Sequence, residues 1–305
     1  MPARGVRVLR QTAHAKVNLG LAVGPKRADG YHEVATAMLA VSLADRLEFA
    51  PRARGFALRV DGPEAKGVPT DERNLVIRAA LRLAAELGET RGAAIRLTKV
   101  IPHGAGLGGG SSDAASTLRG LLRLWRRRLG AARLHAIAAE LGSDVPFFLG
   151  AGFAMASGRG EVLRALPLPA GAFARSIVIA VPDVTISTGM VYSNYEIPKS
   201  RLTAWKAVGT LVQLRALSYF RDRDKRKIVN DLEGVVRTRV HAVPEALRDL
   251  RSAGASNVRM SGSGSAVFGI VPAGVSPRAV ADRTRRTLLR VYVVRPVRAG
   301  SRPCR

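Results

Sequence analysis

The chain has 305 residues, 47% of them apolar, which is enough to bury a sizeable core and argues against disorder. No apolar run approaches the roughly 20 residues of a membrane-spanning helix, and a single cysteine, Cys304, excludes an intrachain disulfide framework. A surplus of 49 Lys and Arg over 23 Asp and Glu gives a net charge of +26, a balance that can mark a nucleic-acid binder. The basic residues are scattered, however, with local clusters at 126–128, 221–227 and 283–290, and aromatics make up only 5%. Solvated arginine-rich helix faces account for that pattern better than base stacking, so nucleic acid is not the expected partner. The first eleven residues are basic but lack an apolar block and a small-residue cleavage site, so the expected compartment is the cytoplasm.

In chain order, residues 6–12 and 15–23 read as strands, followed by a Gly/Pro-containing turn at 24–31. Residues 46–50 and 56–60 alternate like strands. Leu75, Ala79, Leu83 and Leu87 then recur at helical spacing within 74–87. A strand at 94–101 leads into a glycine-rich stretch, and Ala114, Ala115, Leu118, Leu121, Leu122 and Trp125 follow on one helical face. A further helix fits 131–141, stopped by Gly142. The apolar run 176–182 marks a change of domain. Beyond it, helices are expected at 203–220, from near Asp231, and at 244–253, with strands at 266–271 and 290–294. Strands and helices mix without regular alternation, which favours an α+β fold. The expected division is an ATP-binding domain at 1–175, a second domain at 176–295 and a basic tail at 296–305.

The chemistry concentrates between Pro102 and Ser112, where Gly104, Gly106, Gly108, Gly109 and Gly110 lie between a strand and a strong helix. Glycine permits positive φ and close approach of backbone amides to a ligand. A helix beginning near Ser111 adds unpaired N–H groups and partial positive charge, which together suit a di- or triphosphate. Ser111 and Ser112 offer hydroxyls to phosphate oxygens, to Mg²⁺ in the case of Ser112, or to the helix end. The stretch lacks the Gly-Lys-Ser/Thr of a Walker A loop. It matches GxGxxG at 104–109, but no acidic residue follows about 20 positions later as a dinucleotide site requires.

Three segments resemble the GHMP kinases, the superfamily named for galacto-, homoserine, mevalonate and phosphomevalonate kinases. They are residues 15–21 with 27–33, residues 106–115, and the second glycine-rich turn at 260–268. Residues 29–32, 141–148 and 230–233 narrow the resemblance to members that act on a cytidylyl alcohol of the non-mevalonate isoprenoid route. The resemblance implies a ribosomal-S5-like N-terminal domain and a ferredoxin-like C-terminal domain. It also implies transfer of phosphate from ATP, with Mg²⁺, to the 2-hydroxyl of the methylerythritol part of a small cytidylyl substrate, by a monomer or homodimer.

Site residues follow from the same resemblance. Residues from Pro102 through His103, Gly104, Ala105, Gly106, Leu107, Gly108, Gly109, Gly110 and Ser111 to Ser112 would bind ATP. Asp144 is matched to a catalytic base, although its residues alone fit a turn cap after Gly142 equally well. Lys16 is matched to the partner that steadies this carboxylate and offsets charge at the transferring group. Tyr31 and His32 are matched to cytosine recognition by stacking and hydrogen bonding. Asn18 and Thr185 are expected on the substrate side, with Thr188 nearby and residues 261–264 closing over the phosphates. Asp113 departs from the asparagine common after the serine pair, and is expected to point away from the nucleotide. Another GHMP substrate, or a non-catalytic basic protein on this fold, remains the competing reading.

Overall fold

A computed structural model describes residues 8–150, 152–198, 205–220, 230–285 and 289–298. The basic cluster at 221–227, most of the tail and Cys304 lie outside the described residues. Strand β1 (Leu9–Lys26) pairs along its length with β2 (His32–Arg52), so the two short expected strands are one long one. The second edge of β2 is shared by three segments in succession. It takes β5 (Phe153–Ser157), then a bridge from Pro296 to Val41, then β4 (Gly92–Thr98). With β3 (Phe56–Asp61) and β6 (Val162–Ala165) this makes a six-stranded sheet in which β3 runs parallel to β4. The tail therefore begins as a structural element, because Val297 donates its amide to Ala40 O at 3.0 Å.

The second sheet has the order β10-β7-β9-β8, all pairs antiparallel. Its strands are β7 (Ile177–Pro182), β8 (Ser256–Met260), β9 (Val267–Ile270) and β10 (Leu289–Val294). Helices connect β7 to β8 and β9 to β10, which is the split β-α-β arrangement of a ferredoxin-like unit.

Helices α1 (Leu75–Leu87), α2 (Gly109–Leu124) and α3 (Ala131–Leu141) cover one face of the first sheet. Asn74 caps α1 by accepting from Val76 N at 2.9 Å, and Gly88 ends it at φ 57°. The short α4 (Thr188–Ser193) is followed by α5 (Trp205–Ser218), α6 (Asp231–Arg239), α7 (Ala242–Ser252) and α8 (Pro277–Thr284). A core between the two sheets joins Ala15, Val17 and Leu19 of β1 to Ile177, Ile179 and Phe268, with Val212 and Ala216 of α5. A further core holds Leu232, Leu247 and Val280 against the outer face of the second sheet.

Alternation along β1 then places the chemistry. Side chains of a strand point to opposite faces at successive residues. Ala15, Val17 and Leu19 fill the core between the sheets, which leaves Lys16 and Asn18 on the face that meets the glycine loop.

Candidate active site

The loop before α2 is built by positive φ at Gly104, Gly106 and Gly108, of 68°, 75° and 70°. Lys16 donates its amide to Leu107 O at 2.9 Å, and Ala266 donates to Ala105 O at 3.1 Å, so β1 and the second glycine turn clamp the loop from two sides. Contact is close enough to exclude side chains. A Cβ on Gly106 would lie 2.3 Å from Ser261 O, and one on Gly108 would lie 2.8 Å from Phe148 Cζ.

Helix α2 starts at Gly109, two residues before the expected Ser111, with Gly108 as an N-cap that offers no side chain. The first amide bonded within the helix region is that of Ser112, to Gly108 O at 2.9 Å. The amides of Gly109, Gly110 and Ser111 therefore precede the ladder and open toward the cavity that these residues line, which suits an anion. Neither serine serves as a cap. Ser111 lines the cavity, whereas Ser112 is 1% exposed and does not.

The cavity measures about 710 Å³ and runs from this loop to the turn after β1. Lys16, only 4% exposed, donates to Asn18 Oδ1 at 2.6 Å and forms an ion pair with Asp144 Oδ2 at 3.3 Å. Asn18 in turn donates to Thr36 Oγ1 at 2.8 Å, and Thr36 donates to Gly20 O at 2.7 Å. This chain of bonds fixes the amide of Asn18 with its oxygen toward Lys16. Asp144 keeps a side chain 34% exposed at the cavity wall, between α3 and a short 3-10 turn at Pro146–Leu149.

At the far end, Tyr31 is 54% exposed, with the Arg159 guanidinium 4.9 Å from its ring centroid. His32 holds Gly24 O through Nδ1 at 3.0 Å and lies 6.1 Å, centroid to centroid, from Tyr192. Burial, then the Asp144 carboxylate, push the Tyr192 phenol above its ordinary value, so it stays neutral. Thr188 Oγ1 and Ser263 Oγ meet at 2.8 Å on the same cavity wall.

Of the residues expected from sequence, Lys16, Asn18, Tyr31, His32, Asp144 and residues 102–111 meet in this one cavity. Thr185 does not line it. Its methyl lies 3.1 Å from where a Gly104 Cβ would stand, and it borders a separate depression of about 280 Å³ with His103 and Arg290. Sequence reasoning missed Tyr192, Arg159 and Thr36. Tyr192 sits on a six-residue helix too short to show periodicity.

The 230–233 motif fastens the site rather than lining it. Asn230 caps α6 through Leu232 N at 3.1 Å and donates to Met260 O and Gly262 O at 2.9 and 2.8 Å. Asp231 accepts from Val23 N at 2.9 Å, and Glu233 from Met260 N at 3.1 Å. β1 and the second glycine turn are thus held by one short helix end.

Comparison with known proteins places the chain in a family. Residues 74–152 match the GHMP kinases N terminal domain and residues 204–292 match GHMP kinases C terminal. The 4-diphosphocytidyl-2-C-methyl-D-erythritol kinase of Pelotomaculum thermopropionicum is 42% identical over 94% of this chain and 98% of its own length. That of Geobacillus thermodenitrificans is 38% identical over 93% and 95%. A crystal structure of 4-(cytidine 5'-diphospho)-2C-methyl-D-erythritol kinase superposes with a TM-score of 0.73 at 34% identity, covering 96% of this chain and all of that one. With relatives at 42% and 38% identity over nearly its whole length, the chain belongs to the GHMP kinases, ATP-dependent small-molecule kinases, and groups within them with the 4-diphosphocytidyl-2-C-methyl-D-erythritol kinases.

Proposed function

We infer that the protein transfers the γ-phosphoryl group of ATP to the 2-hydroxyl of 4-diphosphocytidyl-2-C-methyl-D-erythritol, in isoprenoid precursor synthesis. The observation that carries this reading is the Lys16–Asp144 pair, 3.3 Å apart, in a cavity with a glycine loop at one end and Tyr31, His32 and Tyr192 at the other. The relatives that share nearly the whole chain are named for this substrate.

Phosphoryl transfer asks the protein for positioning and charge stabilisation more than for covalent chemistry. The amides of Gly109, Gly110 and Ser111 hold the phosphates at the helix end. Asp144 takes the proton of the attacking hydroxyl, that oxygen bonds to the γ-phosphorus, and the bond to the ADP oxygen breaks. Lys16 stabilises the Asp144 carboxylate and the negative charge on the transferring group. Asn18 orients Lys16. Tyr31 and Tyr192 supply aromatic faces for the cytosine, and His32 a ring nitrogen for its edge.

Mg²⁺ carried by ATP would neutralise phosphate charge. Among the described residues no group of three or more His, Cys, Asp or Glu could hold a metal, so phosphates and water would supply most ligands. The Ser111 hydroxyl, in the cavity, fits that role better than the buried Ser112. The division into 1–175, 176–295 and a tail is proposed with the same function, as is a cytoplasmic site of action. Among the described residues no helix is long and apolar enough to cross a membrane.

The test is a coupled assay with ATP and Mg²⁺ over a panel of alcohols. Turnover of the cytidylyl alcohol, and not of mevalonate or homoserine, is expected. Turnover of mevalonate alone would reject the substrate while leaving the kinase standing.

A further inference from the structure

Lys99, Asp45 and Asp113 form a charged cluster beneath the glycine loop that the mechanism above does not use. Their exposures are 2%, 0% and 2%. Lys99 Nζ donates to Asp113 Oδ2 at 2.8 Å and also bonds Asp45 Oδ2. The other oxygen of Asp45 accepts from Val100 N at 2.6 Å and Ile101 N at 2.8 Å. One carboxylate of β2 therefore holds the two amides that lead into Pro102, and one ammonium ties that carboxylate to α2. The ammonium also touches the start of the helix, since a Cβ on Gly109 would lie 2.9 Å from Lys99 Nζ and 3.0 Å from Ile101 Cγ2.

Burying a lysine between two carboxyl groups costs several kcal/mol per ion before pairing offsets it, and an apolar trio of similar volume is often as stable or more so. Stability is thus a poor reason for this arrangement. Its placement supplies a better one, because it joins the strand before the loop to the helix after it. We propose that Lys99 is a positioning residue for the nucleotide phosphates: paired with Asp45 and Asp113, it fixes the two ends of the glycine loop relative to each other and so fixes the amides of Gly109, Gly110 and Ser111 where an anion meets them. The two carboxylates offset the charge of this cation, so its effect on the phosphates is geometric. Asp45 and Asp113 locate that cation, and Gly109 leaves room for it. The proposal rests on the loop being the phosphate site and is independent of which alcohol is phosphorylated.

The test compares nucleotide binding with alcohol binding. ADP affinity is measured by titration calorimetry, and KM for ATP and for the cytidylyl alcohol by steady-state assay. In the double variant Lys99→Met/Asp113→Leu, which removes the cation and one carboxylate at similar volume, ADP affinity and KM for ATP should each worsen about tenfold or more. KM for the alcohol should stay unchanged. Asp113→Asn keeps an acceptor for Lys99 and keeps the cation, and should retain wild-type ADP affinity. A folded double variant that binds ADP as the wild type does would overturn the proposal. Should the double variant fail to fold, Lys99→Gln/Asp113→Asn, which removes the cation but keeps hydrogen-bonding groups, carries the test, and unchanged ADP affinity there overturns the proposal equally. Absence of ADP binding by the wild type would instead overturn the loop as phosphate site, and this proposal with it.

Discussion

At the scale of single residues, each side chain in the cavity has a separable expected effect. Asp144→Asn and Lys16→Ala should each lower kcat by about 10²–10⁴-fold, the range of a general base, with an unchanged thermal midpoint for Asp144→Asn. Near-normal turnover in either variant would remove that residue from the chemistry. Tyr31→Ala should raise KM for the cytidylyl alcohol and leave KM for ATP alone, because the ring is exposed at the end of the cavity away from the loop. A change confined to ATP would argue against base stacking. Asp113 makes a pH prediction. Burial, opposed by Lys99 and reinforced by Asp45, pushes its carboxyl up from 3.8 to about 7. The folded state then binds this proton more tightly than the unfolded chain, so the contribution of Asp113 to stability falls as pH rises from about 4 to about 7. Surface carboxylates act in the opposite sense, as with Glu86, lowered to about 2 first by Arg133 and then by Arg82. Comparison with Asp113→Asn isolates the effect. The variant should gain on the wild type in denaturation midpoint between about pH 4 and 7, and a constant difference across that range would count against it.

At the scale of elements, the loop depends on two glycine turns fitting against each other. Gly106 combines φ 75° with an approach that would put a Cβ 2.3 Å from Ser261 O. Gly106→Ala should therefore cost about 2 kcal/mol or more in stability and weaken ATP binding, with denaturant unfolding and KM for ATP as the readouts. A neutral result would mean that the turns can separate without loss. Elements with strong periodicity are legible in the amino-acid order alone. The helices over 74–87 and 131–141 agree with α1 and α3 to within a residue, because their apolar spacing and their Asn74 and Gly142 boundaries are local signals. The start of α2 is not legible in that way. The serines suggest a side-chain cap at Ser111, but Gly108 in the left-handed region is the cap, three residues earlier, where packing against Phe148 and Lys16 leaves no room for a Cβ. The length of β2 is hidden for a different reason. It is buried on both faces from Val34 to Val41, so the polar–apolar alternation that reveals a strand is missing.

At the scale of the whole molecule, the core between the sheets draws on β1 and β2 from one half and on β7, β9 and α5 from the other. A shared apolar core of this kind couples the halves. Heating should give a single cooperative transition by calorimetry, and two resolved transitions would show that the halves fold separately. The C-terminal strand segment adds to the coupling, since Arg295 and Val297 bond Ser42 and Ala40 of β2. Many arginines sit in exposed pairs such as Arg133–Glu86 and Arg73–Asp71, which are worth little individually.

Local sequence alone is enough for the glycine loop and the helix behind it, while the kinase family and the expected set of Lys16, Tyr31, His32 and Asp144 come from the resemblance that a few short segments carry. Those features are short-range, since each is carried by a few adjacent residues whose backbone freedom or chemistry speaks for itself. Long-range packing settles what adjacent residues cannot express. It sets Thr185 apart from the cavity, brings Tyr192 into it, places Ser111 rather than Ser112 at its wall and sends Asp113 to Lys99 and Asp45. For Thr185, Tyr192 and Asp113 the contacts join residues separated in the chain, such as Thr185 with Gly104, Tyr192 with His32 and Asp113 with Lys99, which adjacent residues cannot express.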